Sequence, residues 1–224
     1  MNSFSDLIQT VLIYALPVLF AITLHEAAHG YAARYFGDNT AAMMGRISLN
    51  PTRHIDPMGT IVMPLLLYFA TSGAFLFGYA KPVPVNFSHL RNPKRDMIWV
   101  ALAGPAANFA QAMIWAMVLV LLAGTGIHER FFHEMARAGV LVNLVMWAFN
   151  LFLLPPLDGG RILVGLLPWN QAQWLARVEP WGFFIVMGRV VAGVVGSLWL
   201  RPLMALGYGV IETLVVGPAS ALFR

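Results

Sequence analysis

Between Ile8 and Tyr35 the chain runs apolar for long enough to cross a bilayer, and the second half of that run contains His25-Glu26-Ala27-Ala28-His29. A spanning helix needs about 20 apolar residues, and ionisable side chains inside one are costly and rare unless they serve a function. On a helix, positions i and i+4 share a face with about 5–6 Å between them, so both imidazoles can reach one ion at about 2.0–2.1 Å. Glu26 falls beside such an ion without ligating it. A carboxylate in that place can take a proton from metal-bound water, whose pKa drops to about 7. The pattern points to hydrolytic zinc chemistry within the bilayer. Two histidines packed into a core explain it less well, because nothing would then offset their cost.

The rest of the chain supports a polytopic membrane protein. Of its 224 residues 59% are hydrophobic and 11% charged, and its mean hydropathy is +0.71. Soluble domains carry about a quarter charged residues. The polar stretches are loops of about twenty residues, too short for a soluble domain of about fifty, which implies one membrane-embedded domain over residues 1–224. The net charge is +4, but Lys and Arg sit at the ends of apolar runs and form no basic patch, which argues against nucleic acid. No cysteine is present, which removes thiolate ligands and disulfides. The N-terminus lacks a basic region and a small-residue cleavage site ahead of the first apolar run, so that run is expected to stay in the mature protein.

Five spans are expected: Ile8 to Tyr35, Met97 to Ala123, Gly139 to Leu154, Trp181 to Leu200 and Pro202 to Val216. They make an all-α polytopic fold with a catalytic core over about residues 8–161 and accessory helices over about 181–217. A further apolar run, Met58 to Tyr79, is interrupted by Pro64 and Thr71-Ser72-Gly73. Short strands are expected in the loops, at Gly45 to Asn50 and at Val83 to Phe87, the second only as an edge because its prolines cannot donate to a ladder.

A catalytic zinc site has three protein ligands and one open position, so a third ligand must exist. His54, Asp56, His89, Asp96, His128, Glu129, His133, Glu134 and Asp158 are available. His25 lies about 15 Å inside the end of its helix. A helix from Val140 to Leu154 covers about 22 Å of a core of about 30 Å, so Pro155 to Gly160 begins while still within the membrane. Backbone of that kind is tolerated at such depth only where it is buried in protein or lines a wet cavity. This singles out Asp158. His54 and Asp56 read as organisers of a polar loop, and residues 128–134 as a solvated loop face.

These residues resemble the site-2 protease family, the zinc metalloproteases that cut within membranes. The likeness rests on His25-Glu26-Ala27-Ala28-His29, on Ala103-Gly104-Pro105-Ala106-Ala107-Asn108, and on Asn150-Leu151-Phe152-Leu153-Leu154-Pro155-Pro156-Leu157-Asp158-Gly159-Gly160. The resemblance implies His25, His29 and Asp158 as ligands of Zn2+, Glu26 as the general base, and Asn150 as a contact for the substrate backbone near the scissile bond. Asn108 reads as a helix-packing residue. The likeness is to the compact branch of the family, without a PDZ domain, and the run from Met58 to Tyr79 departs from the longer pattern.

The expected activity is hydrolysis of a peptide bond within or near a transmembrane segment of a membrane-protein substrate, in a prokaryotic cell membrane. Unwinding must precede the cut, because a helix hides its peptide bonds, and an enzyme strand could hold the unwound segment. If the two ligand-bearing elements run in the same direction, Met97 to Ala123 runs opposite, and Met58 to Tyr79 enters and leaves on one side as a re-entrant hairpin. Arg46, Arg53, Lys81, Arg91, Lys94, Arg95, Arg161 and Arg177 then share the cytoplasmic side, which puts the active site nearer that side. A non-proteolytic membrane metal binder or transporter is the rival reading, since ionisable groups in spans also mark ion pathways. Against it, the groups here cluster at one depth.

Overall fold

The structure is a computed structural model that describes residues 4–63, 66, 78 and 80–221. Among the described residues three helices are long and apolar enough to cross a membrane: residues Ile8–Tyr35 of α1 (Phe4–Tyr35), α3 (Pro93–Gly124) and α8 (Gly196–Ala221). Between them stand α2 (Thr40–Met43), α4 (Arg130–Asn150), α5 (Asp158–Leu166), α6 (Trp169–Ala176) and α7 (Glu179–Val191). Large apolar side chains on the long helices face outward: Val11, Ile114 and Leu198 are all more than half exposed. In a soluble protein that surface would aggregate. In a bilayer it is the surface that lipid covers.

Helix direction follows from polar contacts between helices. Along α1, His25 meets Asn108 and His29 meets Val100, so α3 runs antiparallel to α1. Asn108 also bonds Asn143, and Gly139 lies against Trp115, so α4 runs antiparallel to α3 and parallel to α1. Trp199 donates to the Ala148 carbonyl while Gly207 packs on Leu144, which sets α8 antiparallel to α4. The apolar core lies where three of these helices meet, with Ala112 and Ala116 from α3, Val140 and Leu144 from α4, and Ile211 and Val215 from α8. The C-terminal helix is thus part of the main core.

The start of α3 is tied to the end of α1. Arg91 donates its backbone N–H to the Phe36 carbonyl at 2.9 Å and its guanidinium to the Tyr35 carbonyl at 3.0 Å. The chain therefore leaves α1 and enters α3 on one face of the bundle, called here the loop face. Of the apolar run Met58 to Tyr79, the helical turn Pro57–Val62 is described; the expected turn near Thr71-Ser72-Gly73 lies outside the described residues.

Three expectations need correction. The helix expected from Gly139 starts at Arg130 and ends at Asn150, so it is about 31 Å long rather than 22 Å, and His133 and Glu134 lie on its first turns instead of in a loop. The run Trp181 to Leu200 is not one span. Helix α7 has 13 residues, about 20 Å, and the chain turns at Gly193, whose φ of 73° is one that residues with a side chain rarely adopt. Helix α8 then runs through Pro202 and Pro218, each preceded by a widened turn (Gly196–Leu200 and Glu212–Val216) that accommodates the bond a proline cannot make. Finally, no strand forms among the described residues. Gly45 to Asn50 and Val83 to Phe87 have no ladder, and the nearby link to Arg46 is through its guanidinium, which donates to the Lys81 and Pro82 carbonyls at 3.1 and 3.2 Å.

Candidate metal centre

The HEAAH segment sits mid-helix with its two histidines facing α3. His25 Nδ1 lies 2.6 Å from Asn108 Oδ1, and His29 Nδ1 lies 2.7 Å from the Val100 carbonyl. Asn108 is oriented by its own donors, because Nδ2 bonds the Ala21 carbonyl at 3.1 Å and Asn143 Oδ1 at 3.0 Å. Its Oδ1 is therefore the atom that faces His25, and it can only accept. Both Nδ1 atoms must carry the proton, which leaves each Nε2 with a lone pair.

Those lone pairs point at each other and at a carboxylate. After α4 ends, residues 151–157 turn back and present Asp158 as the first residue of α5. The two Nε2 atoms are 3.1 Å apart, and Asp158 Oδ2 lies 3.3 Å from His25 Nε2 and 3.4 Å from His29 Nε2. All three residues are at most 9% exposed, and Asp158 Oδ2 has no hydrogen-bond partner. Three acceptors gathered without a proton among them would repel, and a cation between them would relieve that repulsion. Ligands on a tetrahedral ion at about 2.0–2.1 Å are about 3.3–3.4 Å apart, which these spacings match. Two imidazole nitrogens and one carboxylate oxygen with a position left open are the donor set of a catalytic zinc site. Gly104 of α3 closes the other side of the cradle. A Cβ there would lie 2.3 Å from His29 Nε2 and 2.6 Å from His25 Cε1.

Glu26 points elsewhere than its histidine neighbours. Its Oε2 accepts the backbone N–H of Val83 at 2.7 Å, across the bundle's loop face. Asn150 is the last residue of α4, and its Nδ2 donates to the Met146 carbonyl of its own helix at 3.0 Å. Several of the other candidates have local structural work. His54 is buried and bonds the Ser48 carbonyl; Asp56 caps the turn at Gly59; Asp96 accepts the Asn92 N–H at the start of α3. His133 bonds the Ile127 carbonyl, and Glu134 pairs with Arg137 at 3.1 Å. Asp38, at the end of α1, is buried and accepts the Thr40 hydroxyl and N–H and the Asn86 N–H.

A histidine pair on a helix apolar and long enough to cross a membrane, a nearby glutamate and an aspartate carried in from another element are the parts of a zinc metallopeptidase of the membrane. The profile of Peptidase family M50 matches residues 13–140. The chain is 35% identical over 216 residues, 92% of its length and 90% of the relative's, to YwhC of Bacillus subtilis, and 31% identical over 169 residues, 75% and 62%, to Rip2 of Mycolicibacterium smegmatis. Both relatives are named as putative zinc metalloproteases. No solved structure gives a significant match. The chain belongs to Peptidase family M50, the site-2 proteases, and is a zinc metalloprotease. Asp158 lies beyond the matched residues, and its place beside the two histidines comes from the structure.

Asn108 and Val100 are the functional neighbours that sequence reasoning missed. Asn108 carried a signal, as a buried-type amide three residues after Pro105 on an apolar helix. The Val100 carbonyl carried none.

Proposed function

We propose that this enzyme hydrolyses peptide bonds within or near transmembrane segments of membrane proteins, with His25, His29 and Asp158 as its zinc ligands and Glu26 as its general base. The observation that carries this reading is the convergence of His25 Nε2, His29 Nε2 and Asp158 Oδ2 within 3.4 Å of one another, with both Nδ1 protons committed elsewhere. When bound, zinc polarises the substrate carbonyl and lowers the pKa of its water. Asn108 and the Val100 carbonyl hold the two imidazoles in the tautomer that ligates. Glu26 takes a proton from the attacking water and delivers it to the leaving amine. Asn150, at the end of the helix that precedes Asp158, is the proposed contact for the substrate backbone. Segment 45–50, which forms no ladder alone, becomes a strand only when an unwound substrate lies beside it.

The whole chain acts as one domain, since α8 completes the core that α3 and α4 begin. We place α4 as a fourth crossing, 21 residues long with its charges at one end, and Met58 to Tyr79 as a re-entrant run, because α1 ends and α3 begins on one face. The loop face is cytoplasmic by its excess of Lys and Arg, in a prokaryotic cell membrane, with the site nearer that face.

Glu26→Gln should keep zinc and lose cleavage of a single-span substrate by at least about 100-fold, since catalytic proton transfer contributes about 10²–10⁴-fold. Asp158→Ala should lose zinc and activity together; zinc retained at full affinity would move the third ligand elsewhere. With no native cysteine, single cysteines at Ser48, Ser88 and Thr125 give the topology directly. A membrane-impermeant thiol reagent on intact cells should label only Thr125→Cys. Labelling of Ser88→Cys but not Ser48→Cys would mean that residues 58–79 cross.

A further inference from the structure

Residues Lys81-Pro82-Val83-Pro84-Val85-Asn86 run as an extended segment past the second half of α1. Each proline fixes its own φ near −65° and confines the residue before it to extended conformations, so Lys81 through Pro84 have almost no conformational freedom. Neither proline has an N–H. Val83 carries the single backbone donor between them, and that donor goes to Glu26 Oε2 at 2.7 Å. A rigid tetrapeptide with one aimed N–H is well suited to hold a carboxylate in one place.

The segment is fastened on every side. Lys81 N–H donates to the His54 carbonyl at 2.9 Å, Arg46 donates to the Lys81 and Pro82 carbonyls, and Asn86 N–H donates to Asp38 Oδ2 at 2.7 Å. Val83 is buried. It lies over Gly30, the residue after His29, where a Cβ would come within 3.2 Å of Val83 Cγ1 and 3.0 Å of Ile47 Cγ1. That glycine lets the segment approach the α1 face that bears Glu26. His54, Arg46 and Asp38 thus anchor the segment that bonds Glu26, and none of them touches the metal cradle.

We propose that residues 81–86 are a positioning strap for catalysis, in which the Val83 N–H fixes the Glu26 carboxylate so that it can take a proton from the attacking water. The proposal rests on the reading of Glu26 as general base. A hydrogen bond to Oε2 restrains the side chain's rotamer and leaves Oε1 as the oxygen that receives the proton. Because all the strap's anchors are internal, the carboxylate is held in place before substrate arrives.

Two measurements test it. The first needs no activity: amide exchange of the metal-free protein, where Glu26→Ala should speed exchange at Val83 at least tenfold and leave Lys81 and Asn86 protected. Unchanged exchange at Val83 would overturn the contact. The second compares Val83→Pro, which removes the N–H in a backbone that Pro82 and Pro84 already hold extended, with Val83→Ala, which keeps the donor and loses only methyl groups. Val83→Pro should lower kcat at least tenfold more than Val83→Ala, with zinc content and KM held. Equal effects of the two would sink the strap while leaving Glu26 as base. A Val83→Pro enzyme faster than wild type would show the contact to be a brake, which also overturns the proposal. Activity retained in Glu26→Gln would instead bring down the base assignment itself.

Discussion

The bundle holds its two halves together by different means. Where α1, α3 and α4 meet, His25, Asn108 and Asn143 form a buried chain of directed bonds, His29 bonds the Val100 carbonyl, and Gly104 brings backbone into contact with the metal cradle. Where α8 packs on α3 and α4, contacts are mainly apolar, with Ile211 and Val215 against Ala112, Ala116, Val140 and Leu144, and one indole bond from Trp199. Lipid is as apolar as leucine, so apolar packing sets no sharp register in a membrane, whereas a buried amide is costly anywhere except against its partner. Precision is concentrated where chemistry needs it.

The sharpest test of that contrast sets Gly104 against Gly207. At Gly104 an added Cβ meets His29 Nε2 at 2.3 Å, and the imidazole cannot yield without leaving the cradle. At Gly207 it meets Leu144 Cδ2 at 2.8 Å, the far end of a flexible side chain. Gly104→Leu should abolish zinc binding and cleavage. Gly207→Leu should keep zinc at full occupancy and cost about 1–3 kcal/mol of stability through overpacking. Equal loss of zinc in both would mean that the C-terminal half is as exacting as the metal-bearing half.

How far this contrast could be read from sequence depends on what each feature needs. His25, Glu26 and His29 are legible because helical spacing alone puts them on adjoining positions. Asp158 was reached by a depth argument that took α4 to be 22 Å long; the helix is longer, and Asp158 arrives because residues 151–157 double back. Asn108 was read as packing because its bond to His25 depends on an antiparallel register between helices 83 residues apart in sequence. The Val83 N–H is a backbone atom and leaves no trace in residue identity beyond the prolines on either side. The break at Gly193 was missed because Gly188, Gly193 and Gly196 all interrupt one apolar run, and only packing selects among them. Strands were expected where alternation was weak; Pro82, Pro84 and the Arg46 cross-link take up the groups a ladder would use.

Asn108→Leu probes the directed half with a smaller change. It removes the acceptor of His25 Nδ1 and the amide that donates to the Ala21 carbonyl and Asn143 Oδ1. Loss of an outer partner of a metal-bound histidine typically costs 10–100-fold in metal affinity, so a zinc competition titration should show a weakening of that order. Asn108→Asp should retain tighter zinc than Asn108→Leu, because a carboxylate still accepts from Nδ1. If the two variants bind zinc equally, His25 does not depend on this partner.

The smallest effect belongs to Asp38, which applies the same logic outside the membrane-spanning segments. Burial alone would raise its pKa, but the Thr40 hydroxyl and N–H, the Asn86 N–H and the nearby His89 together hold it below the usual carboxylate range. A carboxyl with a depressed folded pKa contributes stability above its unfolded pKa of about 3.9 and loses it as pH falls through the folded value. Asp38→Asn should therefore lower stability by about 1–3 kcal/mol at neutral pH, the worth of hydrogen bonds to a charged group. The gap between wild type and variant should stay constant down to about pH 5 and narrow below pH 4. Because Asp38 anchors the strap at Asn86 and not the metal cradle, zinc affinity should be unchanged across that range. A gap that stays constant through pH 3 would show that Asp38 stabilises by shape and not by charge; a fall in zinc affinity at neutral pH would show that the loop face and the cradle are one unit.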